Sequence, residues 1–69
     1  MSRGVVVRLE RNHGYGFIEM EDGTEVFFHQ RWLKLIRFRD IKIGSILEFD
    51  LERGYRGPKA FNLHFAEDE

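Results

Sequence analysis

Cysteine is absent from these 69 residues. A disulfide scaffold and a cysteine-based zinc site are both excluded, and the composition suits a reducing compartment such as the cytoplasm. Long apolar runs are missing as well. Stretches such as Val5 to Val7 fall far below the roughly 20 residues that a membrane helix needs. Arg3 is followed by only three apolar residues, so no secretory leader is expected. Nucleophiles are scarce: Ser2 and Ser45 are the only serines, and Ser45 follows Gly44 with no order of His and Asp that suggests a triad. No Gly-Lys-Ser/Thr phosphate loop is present, so no reaction driven by ATP hydrolysis is expected. His13, His29 and His64 have neither helical spacing nor cysteine companions, so no metal site and no cofactor are expected.

What is present fits one small domain, since independent domains rarely fall below about 50 residues. Hydrophobic residues make up 42 % and aromatic residues 14 %, enough for a core that buries about 60 % of the unfolded surface. The net charge of −1 conceals a sorting of charges. Glu67, Asp68 and Glu69 form an acidic tail, which leaves residues 1–66 as the domain, with 11 basic residues against nine of the 12 acids. Segment 31–42 carries Arg31, Lys34, Arg37, Arg39 and Lys42 against the single Asp40, and segment 53–59 carries Arg53, Arg56 and Lys59 with no acid. Acids collect instead at Glu19 to Glu25 and at Glu48 to Glu52. Two basic loops on an acidic surface fit plain solvation or an anionic partner.

The dominant period is two. Leu47 to Glu52 alternates apolar and acidic residues strictly, and Phe61 to Phe65 alternates in the same way, the mark of strands with one wet face. With the β-rich stretches Val5 to Leu9, Tyr15 to Met20 and Glu25 to His29, this predicts five strands near 4–10, 14–20, 24–29, 44–52 and 59–65. Residues 30–43 form the one long connection, with a short helical turn around Gln30 to Leu35. An all-β, five-stranded antiparallel barrel follows, because closure removes exposed edges.

The hairpin around Glu21-Asp22-Gly23 has two possible registers. A two-residue turn would put His29 on the face of Ile18. A three-residue loop with Gly23 left-handed pairs Met20 with Thr24, Phe17 with Phe27 and Tyr15 with His29. The second is preferred because it keeps the imidazole and both carboxylates out of the core, at the cost of Glu19 facing Glu25. Tyr15, Phe17, Phe27 and His29 then share the polar face. Such a cluster is either a second packing face, covered by the barrel or by another chain, or a platform for flat ligands. Gly14 and Gly16 favour the platform by letting a ligand approach the backbone. Nucleobases stack on such rings whatever their sequence, and basic loops beside them would hold phosphates.

The sequence His13-Gly14-Tyr15-Gly16-Phe17-Ile18 resembles the first ribonucleoprotein motif of the cold-shock domain, and Val26-Phe27-Phe28-His29 resembles the second. The similarity continues through Gly44, Leu47, Phe49, Gly54, Arg56-Gly57-Pro58, Ala60 and Asn62-Leu63, from Gly4 to Leu63 in all. It implies a barrel of the oligonucleotide-binding (OB-fold) type that holds single-stranded RNA or DNA on strands two and three. Tyr15, Phe17, Phe27 and His29 match the stacking positions, Phe38 a further aromatic position and Arg56 a basic one. The first strand departs from the pattern: Val7-Arg8-Leu9-Glu10 stands where the family carries Lys-Trp-Phe-Asn. His13 stands in place of a Lys and Gln30 in place of a Phe. Arg8 can still lie flat over a base. Trp32, outside the family pattern, either supplies a substitute ring or plugs the barrel's end.

The expected function is binding of single-stranded RNA or DNA with low sequence specificity, by a cytoplasmic, non-enzymatic monomer that acts as an ATP-independent RNA chaperone. Bases would stack on the four rings, with Arg8, Arg56, Lys59 and the 31–42 loop on phosphates. No small-molecule substrate is expected. The alternative is a protein-interaction module or homodimer that uses the same face together with Trp32, Leu33, Leu35 and Ile36.

Overall fold

The two-residue alternation becomes five strands: β1 (Ser2–Glu10), β2 (Tyr15–Met20), β3 (Glu25–His29), β4 (Ile46–Gly54) and β5 (Gly57–Phe65). The structure, a computed structural model, describes residues 1–66, so the tail at 67–69 lies outside the described residues. The strands close into a barrel in the order β1-β2-β3-β5-β4. Successive seams are antiparallel, while β3 and β5 close the barrel in parallel through Phe27 and Lys59.

Inward positions supply the core. Val6, Ile18, Val26, Phe28, Leu47, Phe49, Ala60 and Leu63 of the strands, with Ile41 of the long connection, are at most 1 % exposed. Each large side chain removed from water in this way contributes about 1.5–3 kcal/mol. Residues 30–43 cover one end. They contain the expected helical turn, a 3₁₀ segment at Gln30–Trp32, and a second at Phe38–Asp40. Leu33, Ile36 and Phe38 pack half-buried on the core. The Lys34 amide donates to the Leu63 carbonyl at 2.8 Å, and the Arg11 guanidinium donates to the Ile41 carbonyl at 2.6 Å. The connection is therefore a lid as well as a carrier of charge, with Arg31, Lys34, Arg37, Arg39 and Lys42 all exposed.

The β2–β3 turn takes the three-residue form. Met20 and Thr24 bracket it, with the Met20 amide donating to Thr24 at 2.8 Å and Gly23 left-handed at φ +91°. The Asp22 carboxylate accepts the Thr24 amide at 3.0 Å. That hydrogen bond holds the carboxyl below its ordinary range. Its stabilising effect is therefore present above the usual Asp value and is lost as the pH falls through the lowered one.

Two expectations are corrected. Residues 53–59 are not an open loop: Arg53 opposes Pro58 and Gly54 opposes Gly57 around the turn at Tyr55-Arg56, because the β4–β5 ladder continues to the hairpin's tip. Gly14 and Gly16 do not open the backbone to a ligand, since both are buried. A Cβ on Gly16 would lie 2.6 Å from the Arg8 carbonyl oxygen and 2.9 Å from the Phe28 ring. The position is empty so that β1 and a core ring can approach. Neither neighbour has room to yield, so Gly16→Ala should cost about 1–3 kcal/mol. Thermal denaturation would read this as a fall in Tm of roughly 4–8 °C per kcal/mol.

Candidate nucleic-acid interface

The hairpin register decides which rings meet. Tyr15 lies opposite His29 and Phe17 opposite Phe27, on the face that points away from Ile18, Val26 and Phe28. The Phe17 and Phe27 rings stand 5.7 Å apart, Tyr15 lies 5.4 Å from Phe27, and His13 stacks on Tyr15 at 6.0 Å. All four predicted stacking residues are half-buried, so each ring keeps surface for a ligand.

Two bulges bring neighbouring strands into the same surface. In β1 the register shifts between Val6, opposite Ile18, and Arg8, opposite Phe17. Val7 is the extra residue, and the shift places Arg8 and Glu10 beside Phe17 and Tyr15. The Arg8 guanidinium carbon lies 5.7 Å from the Phe17 centroid. In β5, Asn62 is left-handed at φ +55°, and Asn62-Leu63 together face Phe49, between the Glu48–His64 and Asp50–Phe61 pairs. Asn tolerates that conformation better than most residues, and its side-chain amide donates to Asp50 at 2.9 Å. Phe61 to Phe65 therefore do not share one alternating face. Leu63 enters the core while Phe61 turns outward.

Trp32 completes the surface. The His29 Nδ1 accepts the Arg31 amide at 3.1 Å and so caps the 3₁₀ turn that carries Trp32. This geometry leaves the neutral ring's proton on Nε2. The indole lies 4.4 Å from Phe61, 5.7 Å from Phe27 and 6.0 Å from His29, centroid to centroid. It is a ring of the outer cluster and also packs against the core's edge. Phe61 was missed by the alternation. The signal available was an Asn within a β-rich run, a residue depleted in strands and tolerant at bulges.

One row across the sheet thus reads Arg8, Phe17, Phe27, Lys59, with a cation on each side of two rings. Toward the turn, Glu19 and Glu25 face each other in water and would repel a phosphate chain. Two other predicted residues stand apart. Phe38 packs on the core ring of Phe28 at 6.3 Å, beneath the Arg11 guanidinium, and Arg56 is exposed at the β4–β5 tip. His64 lies 3.4 Å from Glu48. Among the described residues there is no group of His, Asp or Glu that could hold a metal ion, and no helix is long and apolar enough to cross a membrane.

This arrangement coincides with a family match. The model of the "Cold-shock" DNA-binding domain matches residues 2–65. A cold shock-like protein of Thermotoga maritima is 34 % identical over 94 % of this chain and 98 % of its own length. Cold shock protein CspB of Geobacillus stearothermophilus is 38 % identical over 91 % and 96 %, and a major cold shock protein of Streptococcus pyogenes is 36 % identical over 91 % and 94 %. The chain belongs to the cold-shock domain family. This is a nucleic-acid-binding family and not one of enzymes.

At the β1 edge of this cold-shock domain Arg8 flanks Phe17, while Trp32 and Phe61 add rings on the opposite side of Phe27. Phe61→Ala would strip the indole of its nearest ring. The Trp32 emission should shift to longer wavelength in the free protein, and oligonucleotide affinity should fall by about 1 kcal/mol or more. An unaltered spectrum would show that the pair does not exist in solution.

Proposed function

We propose that this cold-shock domain binds single-stranded RNA or DNA with little sequence preference, as a cytoplasmic monomer, and that it acts on RNA as an ATP-independent chaperone. The observation that carries this reading is the Arg8–Phe17–Phe27–Lys59 row, extended by Tyr15, His29, Trp32 and Phe61. Unpaired bases lie on rings, and cations on either side take the phosphates. Base–ring stacking is tolerant of sequence because every base has a π-face.

The mechanism requires no catalysis. Stacking needs bases free of a duplex partner, so the protein binds the open form of a hairpin and not the closed one. Mass action then populates the open form in proportion to the free protein. Arg8 lies against the carboxylate of Glu10 at 2.9 Å. That hydrogen bond, and then the charge behind it, raises the guanidinium above its ordinary pKa. Arg8 is charged at physiological pH as any arginine is, and Glu10 lies beside that charge. Arg56 and the exposed cations of 30–43 extend the positive field beyond the rings.

Phe17→Ala and Phe27→Ala should each weaken oligothymidylate or oligouridylate binding by about 1–3 kcal/mol, with the far-ultraviolet circular dichroism kept. Unchanged affinity in both variants would rule out the platform. Arg56→Ala and Lys59→Ala should each flatten the log–log salt dependence by about 0.7 for every phosphate left unneutralised. A docking surface for protein would barely respond to salt, which separates the interaction-module reading from this one.

A further inference from the structure

The row next to Phe17 holds an unusual pair. The Val7 bulge brings Glu10 opposite Tyr15, so that a carboxylate stands at the edge of a ring on which a base would lie. Arg8, in the adjacent row, donates to Glu10 Oε2 at 2.9 Å. The Glu10 side chain is 33 % exposed and that of Arg8 62 %, so the acid is the more enclosed partner and is held in place by the cation. The Glu10 carboxylate repels a phosphate, which leaves phosphate contact to the exposed side of Arg8. It does not repel a base edge rich in N–H donors.

A base stacked on Tyr15 lies roughly parallel to the ring and directs one edge at Glu10. Guanine presents two adjacent donors there, N1–H and the N2 amino group, which match the two oxygens of a carboxylate. Thymine and uracil flank their single N–H with carbonyl oxygens, which a carboxylate repels. Adenine and cytosine set one amino group beside a bare ring nitrogen. A carboxylate has about four lone-pair sites, so Oε2 accepts from Arg8 and from guanine together. Bidentate, charge-assisted hydrogen bonds of this kind are among the strong ones.

Resting on the single-strand reading above, we propose that Glu10, oriented by Arg8, is a base-selecting residue that favours guanine over thymine or uracil at the Tyr15 position. Glu19 and Glu25 lie one row beyond Phe17 and Phe27, but among the described residues only Glu10 on this face is held by an arginine hydrogen bond, so selection acts at the Tyr15 position.

The test uses the full chain, heptathymidylate, and a set of heptamers in which one guanine is walked through the thymidines, with binding read by Trp32 fluorescence and checked by competition. The wild-type chain should bind at least one guanine-containing heptamer about five- to tenfold more tightly than heptathymidylate, the scale of one good bidentate base contact. Glu10→Gln keeps the size of the side chain but replaces one acceptor with a donor, and should bring that ratio to within about twofold. The ratio is taken on a single variant, so altered folding does not mimic the effect. A wild-type chain that binds heptathymidylate and every guanine heptamer equally, or a Glu10→Gln chain that keeps the guanine preference, would overturn the assignment while leaving the stacking platform intact. Failure of the wild-type chain to bind any of these oligonucleotides would overturn both.

Discussion

A β-ribbon has only two faces, and a slip of one residue in its pairing exchanges them completely. The surface of this cold-shock domain depends on that constraint at the β2–β3 hairpin. With Gly23 left-handed in a three-residue turn, Phe17 meets Phe27 and Tyr15 meets His29 on the outside, while Ile18, Val26 and Phe28 are sealed within. The register sets Glu19 against Glu25, a repulsion that water screens because both are exposed. The alternative would desolvate an imidazole or a carboxylate, which costs several-fold more. A modest surface penalty thus protects both the core and the platform.

The platform is wider than the hairpin, and the widening comes from departures from regular alternation. Val7 in β1 and Asn62 in β5 each shift the phase of their strand. Arg8, Glu10 and Phe61 reach the outer face for that reason. A bulge re-aims side chains without breaking the barrel, and it increases local twist. The protein therefore places a cation and a carboxylate on one side of the central rings and two further aromatic groups on the other. Arg8 flanks the hairpin rings at the β1 edge, and Trp32 and Phe61 pack against each other on the other side.

The long connection joins stability to function. Ile41 is fully buried and Phe38 packs on Phe28, so the segment cannot leave without opening the core. The same segment holds Trp32 against Phe27 and Phe61 and exposes its cations to solvent. His29 connects the two roles, since its ring is part of the outer cluster while its Nδ1 holds the first turn of the connection. Charge outside and apolar packing beneath explain how an Arg-rich stretch remains ordered in so small a domain.

Local chemistry determined much of this protein from sequence. Alternation with period two, Gly and Asp at turns, and the absence of cysteine or long apolar runs were enough for a five-stranded barrel, its hairpin register and the rings of Tyr15, Phe17, Phe27 and His29. The strands, the hairpin register and the ring cluster depend on residues close in the chain, whose geometry short-range sterics dictate. The partners across distant seams were decided only by the tertiary structure. The phase of β5 depends on how Asn62 meets Asp50 and Phe49, and the meaning of Gly16 depends on the approach of Arg8 and Phe28. The place of Trp32 depends on Phe61, far along the chain. Such contacts form only on closure of the barrel, and a bulge of one residue is enough to reverse what alternation alone would assign.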